Sequence, residues 1–413
     1  DSAATVFDNN NWQNFGFHSR PSGPSKRGAI LQWFETDYRT ILRRLPEVVL
    51  AGYSTIYLPP PSKGGGGGFS VGYNPFDRFD LGDRPQKGSV RTRYGTTQEL
   101  IELIQTAKRL GIEVVCDVVL NHNDNRAASG INTYPDMIPE DFHIRSSADT
   151  GNAEVEFNSD GSLSWGMLNK DLVGLADIAH EDGNNARTGA FNLPAYASNN
   201  SYGKPTFVRN PLTPQLYPNG SATSEDVRQY LRRWVWWLTA VIGFDGFRLD
   251  AVKHIPPAFL GWAPDQPLFG NSFANGDILP YAYAVNPNLT IFGEDYTSNS
   301  YELREFAKTG MNLLDFPLKF KINDLFNSKG FGNLGSISNG WGIDGSTGLP
   351  FETGGLGADV SVAFVQSHDD GPPESDNLAH ALIMGRVARP KVYYDGNNVQ
   401  PGNWSNFPRP GRA

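Results

Sequence analysis

Four short apolar runs in this chain each end in a cluster of acidic, basic or imidazole side chains, and helical periodicity lies between them. They are Glu113-Val-Val-Cys-Asp-Val-Val-Leu-Asn-His122, Phe244-Asp-Gly-Phe-Arg-Leu-Asp-Ala-Val-Lys-His254, Leu289-Thr-Ile-Phe-Gly-Glu-Asp295 and Val360-Ser-Val-Ala-Phe-Val-Gln-Ser-His-Asp369. A buried strand that finishes in charge is costly unless the charges converge on something. Strands alternating with helices build a parallel sheet. When such a sheet closes into a β/α barrel, the strand ends converge on its C-terminal rim, where barrel enzymes keep their chemistry.

The alternation runs through the chain. Residues 28–34 predict strand one, Tyr38 to Ala51 a helix, and Thr55 to Pro60 strand two; Gly64 to Gly68 then opens a long loop. Gln98 to Leu110 has apolar residues at helical spacing and leads into strand three at Glu113. From His122 to about Thr223 the pattern gives way to roughly a hundred residues rich in Asn, Asp, Gly, Ser and Pro, far longer than a βα loop. This predicts an inserted subdomain over 123–223, between barrel parts at 1–122 and 224–413. A helix over Ser224 to Ile242 resumes the rhythm. Strand four follows at Phe244, strand five at Leu289 to Glu294, strand six at Leu313 to Phe320, strand seven at Val360 to Gln366 and strand eight at Pro390 to Asp395.

A formal net charge of -9 argues against nucleic acid or an anionic membrane as partner. Nine Trp and sixteen Tyr supply flat faces with polar edges, which suit sugar rings. Cys116, the only cysteine, lies inside an apolar strand and reads as a buried structural thiol. No stretch has the apolar length to span a bilayer, and the start at Asp1 reads as a processed or partial chain.

Taken together, the four clusters resemble the signature regions of the α-amylase superfamily, the retaining α-glucoside enzymes of glycoside hydrolase family 13. The resemblance runs from strand one to strand eight. It implies an α/β (β/α)8 TIM barrel with a long subdomain after strand three. Retaining cleavage needs two carboxyl groups about 5–5.5 Å apart. By resemblance Asp250 is the nucleophile, Glu294 the acid/base, and Asp369 the third carboxylate, which stabilises the oxocarbenium-like transition state. Arg248 lies two residues before Asp250, so the strand period aims both to one face, where a guanidinium favours the ionised carboxylate. Glu294 has to remain protonated, which predicts a less compensated, more desolvated site around it. His122 and His368 match the imidazoles that donate to the sugar, Tyr73 the aromatic that stacks on it, and Lys253 with His254 the pair on the leaving-group side.

The resemblance also implies calcium. Asn121 matches the barrel-side ligand, the backbone oxygen of His254 a second, and Asp171 and Asp177 the ligand pair of the insertion, all of them hard oxygen donors. Asp117 reads as structural. Ser367 stands where the family usually has Asn, and Asp370 with Gly371-Pro372-Pro373 follows the His-Asp pair. The family's last barrel helix and C-terminal β-sandwich are expected to be missing, which would leave Val392, Tyr393 and Tyr394 on or beside an uncovered strand face. Residues absent from the chain would cover that face, or else Asp1 to Arg27 with Trp12, Phe15 and Phe17. The function implied is a secreted, monomeric, calcium-dependent endo-hydrolase of α-1,4-glucans. A transglycosylase or α-1,6-acting relative and a non-catalytic glucan-binding relative are the alternatives.

Overall fold

The computed structural model describes residues 29–124, 227–261, 278–327, 360–385 and 391–394, together with the short stretches 134–135, 137, 141–142, 156–157, 163–164, 175–178, 180, 187–190, 207–209, 216–218, 222–225, 341–343, 350–352 and 356. Its centre is a closed barrel of eight parallel strands in sequence order. These are β1 (Ile30–Gln32), β2 (Thr55–Leu58), β3 (Glu113–Val118), β4 (Gly246–Leu249), β5 (Thr290–Gly293), β6 (Asn312–Leu314), β7 (Ser361–Phe364) and β8 (Lys391–Tyr393). Parallel neighbours need crossovers. Helices α1 (Tyr38–Leu50), α2 (Thr97–Arg109), α3 (Val227–Trp237), α4 (Leu279–Val285), α5 (Ser300–Ala307), α6 (Phe316–Asn327) and α7 (Asp376–Gly385) lie between them.

Local chemistry sets the helix ends. Asp37 caps α1 by accepting from the Thr40 N–H, and Tyr38, Ile41, Leu45 and Val48 form its buried stripe. Thr96 and Glu99 form a reciprocal capping box on α2. A π-turn, Leu238–Ile242, extends α3 and stops at Gly243, whose φ of 95° few other residues adopt. Gly246 then starts β4 where a Cβ would stand 2.0 Å from the Thr290 carbonyl, so strands four and five approach closely there.

Two apolar layers hold the barrel. Ile30, Tyr57, Val115, Phe292, Leu314, Val362, Phe364 and Val392 fill the inside, and a larger cluster packs strands against helices outside. Each such side chain stabilises the fold by about 1.5–3 kcal/mol relative to exposure.

Strand six corrects the sequence reading. It ends at Leu314, and Phe316 already opens α6. Asp315 accepts from the Leu318 N–H at 3.1 Å, and Pro317 sits in the first turn, where a missing N–H costs nothing. An apolar run from Leu313 to Phe320 therefore conceals a helix start. On strand eight the inner face is buried, as expected of a closed barrel, and the outer face is half-buried. Val392 is buried in the inner layer, and Tyr393 lies between Tyr53 at 6.1 Å and His380 of α7 at 4.9 Å. Trp12, Phe15 and Phe17 lie outside the described residues. Within 123–223 the described pieces are short antiparallel pairs, among them His122–Asn123 with Ala176–Asp177. Cys116 is buried and unpaired, and no helix among the described residues is long and apolar enough to cross a membrane.

Candidate active site

Arg248 is the hub of the C-terminal rim. Strand register sets it opposite Asp117 of β3 on one side and Phe292 of β5 on the other. Its Nη1 donates to Asp117 Oδ1 and Asp250 Oδ1, each at 2.7 Å, while Nη2 lies 2.9 Å from Glu294 Oε2. One guanidinium thus gathers carboxylates from the ends of three neighbouring strands. Asp117, fully buried, also accepts from the Tyr57 hydroxyl at 2.7 Å and the Tyr73 hydroxyl at 2.5 Å.

A tight turn completes the carboxylate pair. Ala251, directly after Asp250, adopts φ 47°, an uncommon conformation for a residue with a Cβ. That turn aims the Ala251 N–H at Glu294 Oε2, 3.2 Å away, while the Val252 N–H donates to the Glu294 carbonyl at 2.9 Å. Glu294 was expected in a less compensated site. Instead it shares Arg248 with Asp250, because β4 and β5 are adjacent and in register.

Burial lifts Asp250 above the usual carboxylate range; Arg248 opposes this, while Glu294 and Asp117 add to it. Asp117 is raised likewise, by burial first, with Arg248 and the Tyr57 and Tyr73 hydroxyls opposing. Asp369 stands at the mouth of the cleft, where desolvation and then Glu294 raise it, tempered by an exposure of 53%.

The imidazoles are neutral. Burial and then Arg248 push His368 down to about 3, and burial takes His122 down to about 4. A neutral ring donates through one nitrogen only. His368 Nδ1 lies 2.9 Å from the Gln32 amide nitrogen and Nε2 lies 3.1 Å from Asp369 Oδ2. Its proton therefore belongs on Nε2, directed at Asp369. His122 Nε2 donates to the Tyr73 carbonyl at 2.8 Å, so a sugar hydroxyl would have to displace that partner. Tyr73 stacks on His368, with centroids 5.2 Å apart and planes 8° from parallel. Gln32, Tyr57, Arg248, Glu294, Phe316, His368 and Asp369 line one cavity.

Lys253 and His254 occupy a 3-10 turn, Val252–His254, just past Asp250. Burial, then Lys253 and His122, hold His254 down to about 3. Of the calcium residues, Asn121, just before the short strand His122–Asn123, donates from its amide nitrogen to Asp177 Oδ1 at 2.5 Å on the paired strand, and both are buried. An amide oxygen and a carboxylate enclosed at the rim suit a hard cation, and an amide flip would turn the Asn121 oxygen toward the same point. Asp171 lies outside the described residues. Among the described residues no three His, Cys, Asp or Glu side chains cluster for a metal.

Gln32, Tyr57, Ala251 and the hub role of Asp117 were missed. Only Asp117 carried a signal: it shares the inward face of β3 with Val115, as Asp250 shares that of Arg248.

No family model matches the chain. The cytoplasmic α-amylase of Escherichia coli K12 is 31% identical over 367 residues, covering 83% of this chain and 67% of that protein. This chain belongs to the α-amylase superfamily. The glucan 1,4-alpha-maltohexaosidase of Bacillus sp. strain 707 is 26% identical, covering 89% of the chain and 70% of that enzyme. The chain thus spans about two thirds of these relatives' lengths. Two solved structures share the fold at 15% identity each. The α-amylase I of Eisenia fetida, in complex with maltohexaose, has a TM-score of 0.54 and matches 89% of this chain and 66% of its own. The Anoxybacillus α-amylase has a TM-score of 0.50 and matches 90% and 71%. As the Escherichia coli relative is named cytoplasmic, membership of the superfamily carries no location.

Proposed function

We propose that this superfamily member hydrolyses internal α-1,4-glucosidic bonds of starch-like glucans with retention of configuration. Asp250 attacks the anomeric carbon, Glu294 protonates the leaving oxygen and later activates water, and Asp369 stabilises the positive charge that develops on the ring. The observation that supports this most is Arg248, which holds Asp250 and Glu294 side by side on adjacent nitrogens of one guanidinium. That spacing suits direct attack by a carboxylate better than the wider gap that leaves room for a water.

The remaining residues support the same chemistry. His368 holds Asp369, His122 holds the backbone of Tyr73, and the Tyr73 ring edges the subsite. Lys253 and His254 stand on the leaving-group side. Asn121 and Asp177, with the His254 carbonyl and Asp171, would hold a calcium that ties the insertion to the rim. Hydrolysis of amylose and of pullulan, followed by NMR, tests the reading. The reading requires cleavage of amylose with an α-anomeric first product. A β-anomeric first product would exclude retention, and cleavage confined to the α-1,6 bonds of pullulan would exclude the linkage.

A further inference from the structure

Asp369 belongs to no regular element. β7 ends at Phe364 and α7 begins at Asp376, so a turn carries the carboxylate. Inside it the Ser367 N–H donates to the Asp370 carbonyl at 3.0 Å and the Asp369 N–H to Ser367 Oγ at 3.2 Å. These bonds shape the turn without attaching it to the rim.

His368 ties the turn to Gln32 of β1, and the residue after Asp369 ties it to α6. Asp370 Oδ2 lies 2.9 Å from Lys319 Nζ on α6, and Oδ1 lies 3.5 Å from the hydroxyl of Tyr296, two residues past Glu294. Lys319 is charged yet only 2% exposed. Among the described residues Asp370 is the only carboxylate within ion-pair distance of it. An ammonium in such a place is costly without its partner. The helix that carries Lys319 is itself fixed, since Asp315 accepts from the Leu318 and Leu356 N–H groups and from the Ser361 hydroxyl of β7. Asp370 thus joins the loop bearing Glu294, the first turn of α6 and the turn bearing Asp369.

We propose that Lys319 and Asp370 are a positioning pair that fixes Asp369 relative to Glu294 without touching the sugar. The inference rests on the roles given above to Asp369 and Glu294. A carboxylate displaced by a fraction of an ångström still binds hydroxyls but stabilises the transition state less well, so the loss should fall on kcat rather than on KM. The pair also sets a charge balance. Asp369 faces Glu294, Arg248, Asp117, His368 and Asp370, and Asp370 is one of the charges that raise its pKa. Lys319 offsets Asp370. Removing the lysine should therefore move the acid limb of activity to higher pH, and removing the Asp370 charge should move it to lower pH.

The test uses Lys319→Met, Asp370→Asn and the double variant of the full chain, assayed on soluble amylose across pH. The expected result is a kcat lowered on the order of tenfold to a hundredfold in each single variant, with KM within about twofold. The acid limbs should shift in opposite directions, and the double variant should be no worse than Lys319→Met, because the pair acts as a unit. If Lys319→Met fails to fold, the near-isosteric Asp370→Asn carries the test alone. An unchanged kcat in folded Asp370→Asn, or limbs that do not move, would overturn the proposal. Hydrogen exchange over 367–375 in Asp370→Asn needs no turnover: faster exchange there with the rest unchanged supports the pair, and unchanged exchange refutes it. An inactive wild type with that exchange result would count against the proposed function, not against the pair.

Discussion

At the scale of single residues, Asp250 and Glu294 carry the largest consequences. Asp250→Asn should reduce amylose hydrolysis by orders of magnitude, because an amide cannot form the glycosyl ester. Its stability has a definite sign. The folded-state pKa of Asp250 is raised by burial, so its ionisation weakens the fold as pH climbs from the unfolded value through the folded one. The Asn variant should therefore melt like wild type near pH 4 and above it near pH 8; a variant less stable at pH 8 would contradict the burial argument. Glu294→Gln should be as slow on amylose yet retain turnover on glucosides with good leaving groups, which need no protonation. Equal loss on both substrates would make Glu294 something other than the acid. These two residues were legible because each ends an apolar run in a recognisable context. Gln32 and Tyr57 were not, since each acts through a partner far away in sequence, His368 and Asp117 respectively.

At the scale of elements, the turn after β4 joins stability to geometry. Ala251 holds a left-handed conformation that costs on the order of 1 kcal/mol and aims its N–H at Glu294. Ala251→Gly should keep or raise the melting temperature, whereas Ala251→Val should lower stability by about 1–3 kcal/mol and slow catalysis. Indifference of both properties to Val would show that the turn is unstrained. Elements with strong periodicity or caps, such as α1 and α2, were readable from sequence. The β6–α6 junction was not, because Leu313 to Phe320 is apolar throughout and only the Asp315 cap and Pro317 break it. The strain at Ala251 has no sequence signal, for Ala is compatible with nearly any turn. It follows from β4 and β5 arriving at the rim in register.

At the scale of the whole molecule, the barrel brings together carboxylates that lie as far apart in sequence as Asp117 and Asp369, and burial sets their charge states. The neutral histidines make this acid-sensitive. His122 and His368 have folded pKa values of about 4 and about 3, so the unfolded chain takes up protons first and their contribution to stability falls as pH drops below about 6.5, opposite in sign to that of Asp250. The melting-temperature difference between wild type and His368→Gln should therefore move in the variant's favour from pH 7 to pH 4.5, and a difference that does not change with pH would contradict burial of His368 in neutral form. Chelation bears on the insertion: a calcium bound by the native state stabilises it by linkage, so excess chelator should lower the melting temperature. An unchanged melt, with no calcium found by elemental analysis, would remove Asn121 and Asp177 from consideration as ligands. The eight-strand order was legible in the alternation of runs, whereas the polar composition of 123–223, read as an insertion, carried no signal for the short antiparallel pairs described there.

The central claim is a covalent glycosyl ester on Asp250, and trapping it is the most direct test. A fluorinated glucosyl fluoride has a leaving group good enough to form the ester and a ring substituent that slows its hydrolysis. After incubation, digestion and mass spectrometry, the predicted result is one fluoroglucosyl unit on the peptide containing Asp250, absent from Asp250→Asn. Label on another carboxylate, or no label from an enzyme that cleaves amylose, would contradict the account.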